Sequence, residues 1–316
     1  MIVTLTPNPS VDRAVTVATL AHGEVNRATH VRVDAGGKGL NVARAVTAQG
    51  GSALAVLPVG GPEGRLLEEL LDAAAVPRLS VPIAGAARMN VSLLEADGTT
   101  TKINEPGPEL SPSEVAALLD ATSSAAADAA WIVGCGSLPP GAPTDFYAQL
   151  VAAAHADGRR VAIDGSGEPF TAAVAASPDL IKPNHEELAE LVDHSLPTLG
   201  DVIAAARELV SQGLGMVAVS LGADGAVLVT ADEVIHARAT IGAPVSTVGA
   251  GDCMLAGLLH GLSHGVSTAQ ALTEGVLWGA AAVTLPGSRV PTPADLRGIP
   301  VDLTHSPSRA MALGQR

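Results

Sequence analysis

Short, nearly unbroken apolar runs alternate with Ala- and Leu-rich stretches of helical period along this chain, and that alternation limits its fold more than any other feature. The runs Ile2–Thr6, Ala53–Val59, Trp131–Cys135, Val161–Asp164, Leu180–Lys182, Met216–Leu221 and Ala226–Thr230 read as strands. Between and after them, Asn41–Gln49, Gly64–Ala75, Ser113–Ala126, Asp145–Ala156, His185–Val192, Val202–Gln212 and Asp252–His264 read as helices. Strands without polar alternation must be buried on both faces, which predicts an α/β fold with a mostly parallel sheet between two helical layers. Ligands of such sheets bind beyond the carboxyl ends of the strands.

Two stretches break the pattern. Ala14–Val33 reads as extended, and Ala87–Asn104 reads as a hairpin turning at Asp97-Gly98, a strong hairpin signal. Together they predict a small second sheet over the main one. No linker or internal repeat divides the chain, so residues 1–316 are expected to form one unit, with a disordered block only in the last dozen or so.

Charge excludes several functions. Against 32 acidic residues stand 18 Lys and Arg, a net charge of −14, which repels phosphate backbones and anionic membrane surfaces. No apolar stretch approaches a membrane span, and the N-terminal MIVTLTPNPS lacks the basic and apolar regions of a signal peptide. A cytoplasmic location is the expectation. Cys135 and Cys253 cannot make a disulfide framework, and no Cys/His cluster has zinc spacing.

Only three of the cations are lysines: Lys38, Lys102 and Lys182. All lie in Gly-, Pro- or Asn-rich segments. Lysine is a compact point charge where arginine is a planar fork, so its restriction to these places points to sites.

Ser246–Gly257, STVGAGDCMLAG, is the strongest of the glycine-rich segments. Its glycines let backbone N–H groups approach a ligand at a helix N-terminus, where orphan donors attract anions. Asp252 reads either as a functional carboxylate or as a plain N-cap. Asp34–Arg44, DAGGKGLNVAR, leads a Gly-Gly-Lys-Gly turn into a helix carrying Asn41 and Arg44. It has neither the GxxxxGK[ST] nor the GxGxxG spacing. Thr6–Asp12, Gly134–Gly141, Lys182–Glu187 and Ser220–Gly225 likewise follow strands, and several such loops in one α/β chain imply one assembled site.

These segments, TPNPSVD, AGGKGLNVARAV, CGSLPPG, IKPNHEEL, VSLGADGA and TVGAGD, resemble in content and order those of the ribokinase-like (PfkB) carbohydrate kinases over residues 4–257. Within that family the chain is most similar to the sugar-phosphate branch, and Thr101–Pro108, TKINEPGP, looks most like 1-phosphofructokinases. The resemblance implies a ribokinase-like three-layer sandwich with a β-sheet lid at about 13–34 and 86–105. It implies a kinase that uses ATP with Mg²⁺ to phosphorylate fructose 1-phosphate, with tagatose 6-phosphate and fructose 6-phosphate as rival substrates. A catalytically silent sugar and nucleotide sensor is the rival in another class. An NAD-dependent oxidoreductase lacks its fingerprint here.

By the same resemblance, Asp252 is the catalytic base, and the N–H groups of Gly249, Ala250 and Gly251 form the anion hole. Asn184 and Glu187 hold Mg²⁺ through water, and Lys182, Ser220, Gly222, Gly225 and Thr247 face ATP. Asp12, Gly36, Gly37, Lys38, Asn41 and Ser137 face the sugar, and Arg27, Arg88 and Lys102 its phosphate. His185 carries no role. Cys253 stands where the family commonly has Ser, which leads us to expect a weaker helix cap; a redox role is the remote alternative, since a thiol at a helix N-terminus can be activated. The exposed edges and faces of a small sheet lead us to expect a homodimer through the lid.

Overall fold

The computed structural model describes residues 1–314. Ten strands form the main sheet, in the order β14-β13-β12-β11-β10-β9-β8-β1-β4-β5. Those that position the site are β1 (Ile2–Leu5), β4 (Ala53–Val59), β8 (Trp131–Cys135), β9 (Val161–Asp164), β10 (Leu180–Ile181) and β11 (Met216–Ser220). They run parallel with β5 (Arg78–Pro82), while β12 (Ala226–Val229), β13 (Val234–Ala239) and β14 (Val301–Thr304) add an antiparallel edge. The chain winds outward from β1 through β4 and β5, then returns to the other flank of β1 at β8. Strand order thus reverses beside β1, the switch point at which such sheets open a crevice.

Two apolar layers cover the sheet. Helices α1 (Lys38–Ala48), α2 (Gly61–Ala73), α8 (Ala250–Ser263) and α9 (Thr268–Val283) bury one face through residues such as Leu40, Leu67, Leu255 and Leu272. Helices α3 (Pro112–Ala125), α4 (Phe146–Ala156), α5 (Gly167–Ala175), α6 (His185–Leu191) and α7 (Leu199–Ser211) bury the other through Leu118, Phe146, Phe170, Leu188 and Val202. The three layers agree with the expectation from apolar periodicity.

The second sheet has the order β3-β2-β6-β7, from β2 (Ser10–Thr16), β3 (His30–Gly36), β6 (Arg88–Leu94) and β7 (Thr100–Asn104). The hairpin turns near Asp97-Gly98, where Asp97 Oδ1 accepts the Thr99 N–H. The β2–β6 pair is parallel and the other two pairs are antiparallel. Register places Asp12, Arg32, Asp34, Arg88, Asn90, Lys102 and Asn104 on one face and Val11, Val15, Val31, Val91 and Ile103 on the other. Three details differ from expectation. Residues 17–29 do not continue the extended stretch but form a mostly exposed loop. Helix α1 starts at Lys38, inside the glycine turn, because Gly37 serves as its N-cap. The end of the chain is docked as far as Gly314, through Leu199 N–H to Met311 O and Leu313 N–H to Pro197 O; residues 315 and 316 lie outside the described residues.

Helix α8 is buried along most of its length because α9 lies directly against it. A Cβ on Gly275 of α9 would come 2.7 Å from Met254 O and 3.1 Å from Leu258 N, both backbone atoms of α8. Neither can move aside, so Gly275→Ala is expected to cost about 1–3 kcal/mol, the usual range for overpacking. The urea midpoint should fall with its slope unchanged; an unmoved midpoint would mean the pair can part without cost.

Candidate active site

Gly249 caps α8 from a left-handed backbone (φ 77°), and no side chain caps the helix. Asp252 is therefore the third helical residue, and the N-cap reading of it falls. The Ala250 N–H bends back toward Thr247 O at 3.4 Å, a long contact, while those of Gly249 and Gly251 have no protein partner among the described residues. Asp252 is only 8% exposed. It accepts a hydrogen bond at Oδ2 from Asn41 Nδ2 at 2.8 Å. Burial, with the charge of nearby Asp164 second, pushes its carboxyl up to about 6 against the pull of Asn41, Lys38 and Lys182.

Asp164, which in the sequence is only the last residue of a strand, organises this end of the sheet. It ends β9 and is fully buried. Lys38 Nζ meets Oδ1 at 2.8 Å and Lys182 Nζ meets Oδ2 at 3.2 Å. Burial opposes the charge on Asp164, but Lys182 and Lys38 overcome it and hold the carboxyl below its usual range. Burial likewise opposes the charge on Lys38, and Asp164 and Glu187 reverse the effect, so its ammonium titrates above the ordinary lysine value. Two of the three lysines thus share one carboxylate. Lys182 also lies beside the α8 terminus, where a Cβ on Gly251 would stand 3.4 Å from its Nζ.

The Asn184/Glu187 pair forms the cap of α6. Asn184 Oδ1 accepts the Glu187 N–H at 2.7 Å, and Glu187 Oε2 accepts the Asn184 N–H at 2.8 Å, a reciprocal capping box. Glu187 Oε1 is left facing Lys38 Nζ at 3.8 Å. No group of three or more His, Cys, Asp or Glu among the described residues could hold a metal. A single available carboxylate oxygen beside an amide carbonyl fits Mg²⁺, which keeps much of its water shell and takes other ligands from phosphates. His185 bonds Leu196 O through Nε2 at 2.7 Å.

A cavity of about 940 Å³ opens beside this cluster. Ser220, Gly222, Gly225, Thr247, Ala250, Gly251 and Asn184 line it. Sequence reasoning missed Arg238, which reaches Ala223 O at 3.0 Å on its rim, and Leu313 and Gly314, which the docked chain end brings into the wall.

On the other side lies the polar face of the small sheet. Asp12 Oδ1 accepts bonds from Ser10 Oγ at 2.6 Å and Asn90 Nδ2 at 3.1 Å. Burial raises its carboxyl above the usual value despite both donors and Arg88. Gly36 packs so near that a Cβ there would collide with the Asp12 carboxylate, and Gly37, Lys38 and Asn41 follow directly toward Asp252. Ser137 is exposed beyond β8.

Of the three expected phosphate cations, Arg88 and Lys102 share the polar face of the small sheet, and Arg27 lies apart in the 17–29 loop. Arg88 donates to the backbone carbonyls of Glu105 and Asn8, each at 3.0 Å. Lys102 is exposed on β7 of the polar face, and Arg27 is exposed in the 17–29 loop. The expectations for Cys253 also change. Its side chain is buried in the core, 1% exposed, and burial pushes the thiol up to about 12. It takes no part in capping, and such a thiol is unreactive.

A chain with this fold, a helix terminus with unpartnered N–H groups and a buried carboxylate beside it has the build of a phosphoryl-transfer enzyme. Residues 6–295 match the model of the pfkB family carbohydrate kinases, and the chain belongs to that family. It is 38% identical over 306 residues to the 1-phosphofructokinase of Haloferax volcanii, covering 96% of this chain and 97% of that protein. To the 1-phosphofructokinase of Rhodobacter capsulatus it is 36% identical over 302 residues, 94% and 95% of the two chains. The solved structure of phosphofructokinase-2 from Escherichia coli in complex with fructose-6-phosphate superposes with a TM-score of 0.88 at 34% identity, covering 94% of this chain and 96% of that one. The protein is thus a phosphotransferase with an alcohol group as acceptor.

The raised Asp252 carboxyl has a consequence for stability. A group whose pKa rises on folding binds its proton more tightly in the native state, so the fold loses stability as pH climbs from about 4 to about 6. Asp252→Asn removes that loss. The variant should match wild type in urea at pH 4 and exceed it at pH 7.5 by on the order of 1–3 kcal/mol, at about 1.4 kcal/mol per pKa unit. Equal gains at both pH values would show that Asp252 ionises as an ordinary surface carboxyl.

Proposed function

We propose that the protein is a Mg²⁺- and ATP-dependent kinase that converts fructose 1-phosphate to fructose 1,6-bisphosphate in the cytoplasm. The observation that carries this reading is the junction at Asp252. There the α8 terminus, the two-lysine cluster and the 36–41 segment meet, with the cavity on one side and the polar face of the small sheet on the other. The likeness to two 1-phosphofructokinases along nearly the whole chain supports the choice of sugar.

In this reading ATP occupies the cavity against Ser220, Gly222, Gly225 and Thr247, with its terminal phosphates toward Lys182. Asn184 and Glu187 would hold Mg²⁺ through water, and the ion would supply positive charge to those phosphates. The sugar hydroxyls meet Asp12, Gly36, Gly37, Asn41 and Ser137. Asp252 takes the proton of the attacking hydroxyl as its oxygen bonds to the γ-phosphorus, and ADP leaves. Charge on the transferring phosphoryl falls to the N–H groups of Gly249 and Gly251, with Ala250 joining once it releases Thr247 O. A carboxylate is a far weaker base than an alkoxide, so proton transfer is late and positioning supplies much of the rate.

Lys38, which the resemblance sets at the sugar, is held by Asp164 and Glu187. It sits between the two substrates and is suited to neutralise charge where they meet. The small sheet serves as lid in a single kinase unit. Its apolar face, where Val31 is 49% and Ile103 57% exposed, is the proposed seat of a homodimer.

Fructose 6-phosphate is the second reading, favoured by the likeness to phosphofructokinase-2 crystallised with that sugar. Rates of ADP release with Mg-ATP and fructose 1-phosphate, fructose 6-phosphate, tagatose 6-phosphate or fructose decide between them. Fructose 1-phosphate should give the highest kcat/KM; no turnover with any sugar would favour a silent sensor.

Lys102 tests the phosphate side cleanly because it is exposed and has no hydrogen-bond or ion-pair partner among the described residues. Lys102→Met should raise the KM for the sugar phosphate by about 10–100-fold, the scale of one hydrogen bond to a charged group. The KM for ATP should stay, and the preference for phosphorylated over plain fructose should shrink by the same factor. An unchanged preference would remove Lys102 from the phosphate site.

A further inference from the structure

Arg44 has no part in the reading above, yet its guanidinium is one side chain away from the reacting centre. It lies one helical turn after Asn41 on α1. Its Nη1 donates to Asn41 Oδ1 at 3.1 Å and to Ala35 O at 3.3 Å, and Asn41 Nδ2 donates to Asp252 Oδ2 at 2.8 Å. Chemistry fixes the order of atoms along this relay. A guanidinium has N–H donors and no acceptor, so the amide atom facing it must be the oxygen. The amide nitrogen is then left facing Asp252. That nitrogen only donates, and it matches a carboxylate rather than a carboxylic O–H. A flipped amide would suit a protonated Asp252, but it would set N–H against N–H on the Arg44 side.

We infer that Arg44 is a positioning residue: it locks the Asn41 amide in one orientation, and the locked amide keeps Asp252 in the ionised state that a base requires. The inference rests on the reading of Asp252 as that base. Other charges act at the same point. Asp164 at the end of β9 opposes ionisation of Asp252, while Lys38 of α1 and Lys182 beyond β10 favour it. The Cys253 thiol on α8 and the Cys135 thiol on β8 both feel the Asp252 charge and are raised by burial. Around Arg44 itself stand Asp34, Asp12 and Arg32 from the small sheet, and Cys253. Lys38 and Lys182 supply charge but do not touch the amide, so orientation falls to Arg44.

The test is the pH dependence of kcat/KM for fructose 1-phosphate at saturating Mg-ATP in wild type, Arg44→Met, Arg44→Lys and Arg44→Gln. Methionine keeps much of the stem and has no N–H. Lysine, like arginine, has donors alone and still demands the amide oxygen. Glutamine has both a donor and an acceptor and tolerates either orientation. Arg44→Met should move the acid limb up by about one pH unit, the worth of one hydrogen bond to a charged group. The rate at pH 8.5 should stay within about threefold of wild type and the KM for ATP should not move, as expected when only the ionised fraction of a base changes. Arg44→Lys should return the limb toward wild type, and Arg44→Gln should leave it displaced. The sugar phosphate ionises in the same range, but equally in every assay, so the displacement between curves is the readout.

An acid limb that stays in place in Arg44→Met, a loss of rate equal at every pH, or a lysine variant displaced as far as the glutamine variant overturns the inference. Should Arg44→Met fail to fold, the comparison of lysine with glutamine decides it alone. The base itself is tested separately by Asp252→Asn, whose kcat should fall by roughly 10²–10⁴. A loss there of less than about tenfold would remove the base assignment whatever Arg44 does.

Discussion

The rest of the site depends on one buried carboxylate held between two ammonium groups. Asp164 joins Lys38, at the start of α1, to Lys182, just beyond β10, and so ties the segment entering α1 to the segment entering α6. A buried ion pair gives little net stability, because desolvation offsets the Coulomb gain, but losing one partner strands the other at a cost of several kcal/mol. Here that asymmetry fixes geometry. Neither lysine can leave without exposing the charge of Asp164 to an apolar surround, so both ammoniums stay where an anion at the α8 terminus would meet them. The negative charge of Asp164 acts in turn on Asp252 and adds to the burial that raises its carboxyl.

From that point the two halves of the site follow in order. The polypeptide from Gly36 to Asn41 passes from the Asp12 carboxylate to the Asp252 carboxylate within six residues, touching both. A sugar lying on the polar face of the small sheet would therefore present a hydroxyl close to the helix terminus. A nucleotide in the cavity would point its phosphates at the same terminus from the opposite side. Charge thus gathers at the strand ends, in a sheet whose strand order reverses beside β1.

Much of the fold is legible in the sequence because its strands are apolar runs bounded by turns. The bounds of β4, β8 and β9 read from sequence coincide with those in the structure. Elements with weaker contrast escape notice. Helix α9, TAQALTEGVLWGAAAV, is rich in small residues and shows little difference between its faces, while β14 is short and largely exposed. Helix α1 begins earlier than read, since glycines that suggest a loop can also open a helix once Gly37 caps it.

At the site, local patterns are legible and long-range pairings are not. The glycine-rich turns, the restricted lysines and the Asn184–Glu187 spacing all stand out in the chain. Asp164 reads as the last residue of a strand because its first partner is 126 positions away. The same limit applies to Arg88, whose bonds to the carbonyls of Asn8 and Glu105 join distant segments and leave further N–H groups of its guanidinium for a ligand. The most direct measurement is the pH dependence of kcat/KM for fructose 1-phosphate in the unmodified enzyme, corrected for ionisation of the sugar phosphate. A single acid limb near pH 6 is expected, set by the buried Asp252 carboxyl. A limb near pH 4, the value of a solvated aspartate, or no acid limb at all would contradict a base held at the junction of the two substrates.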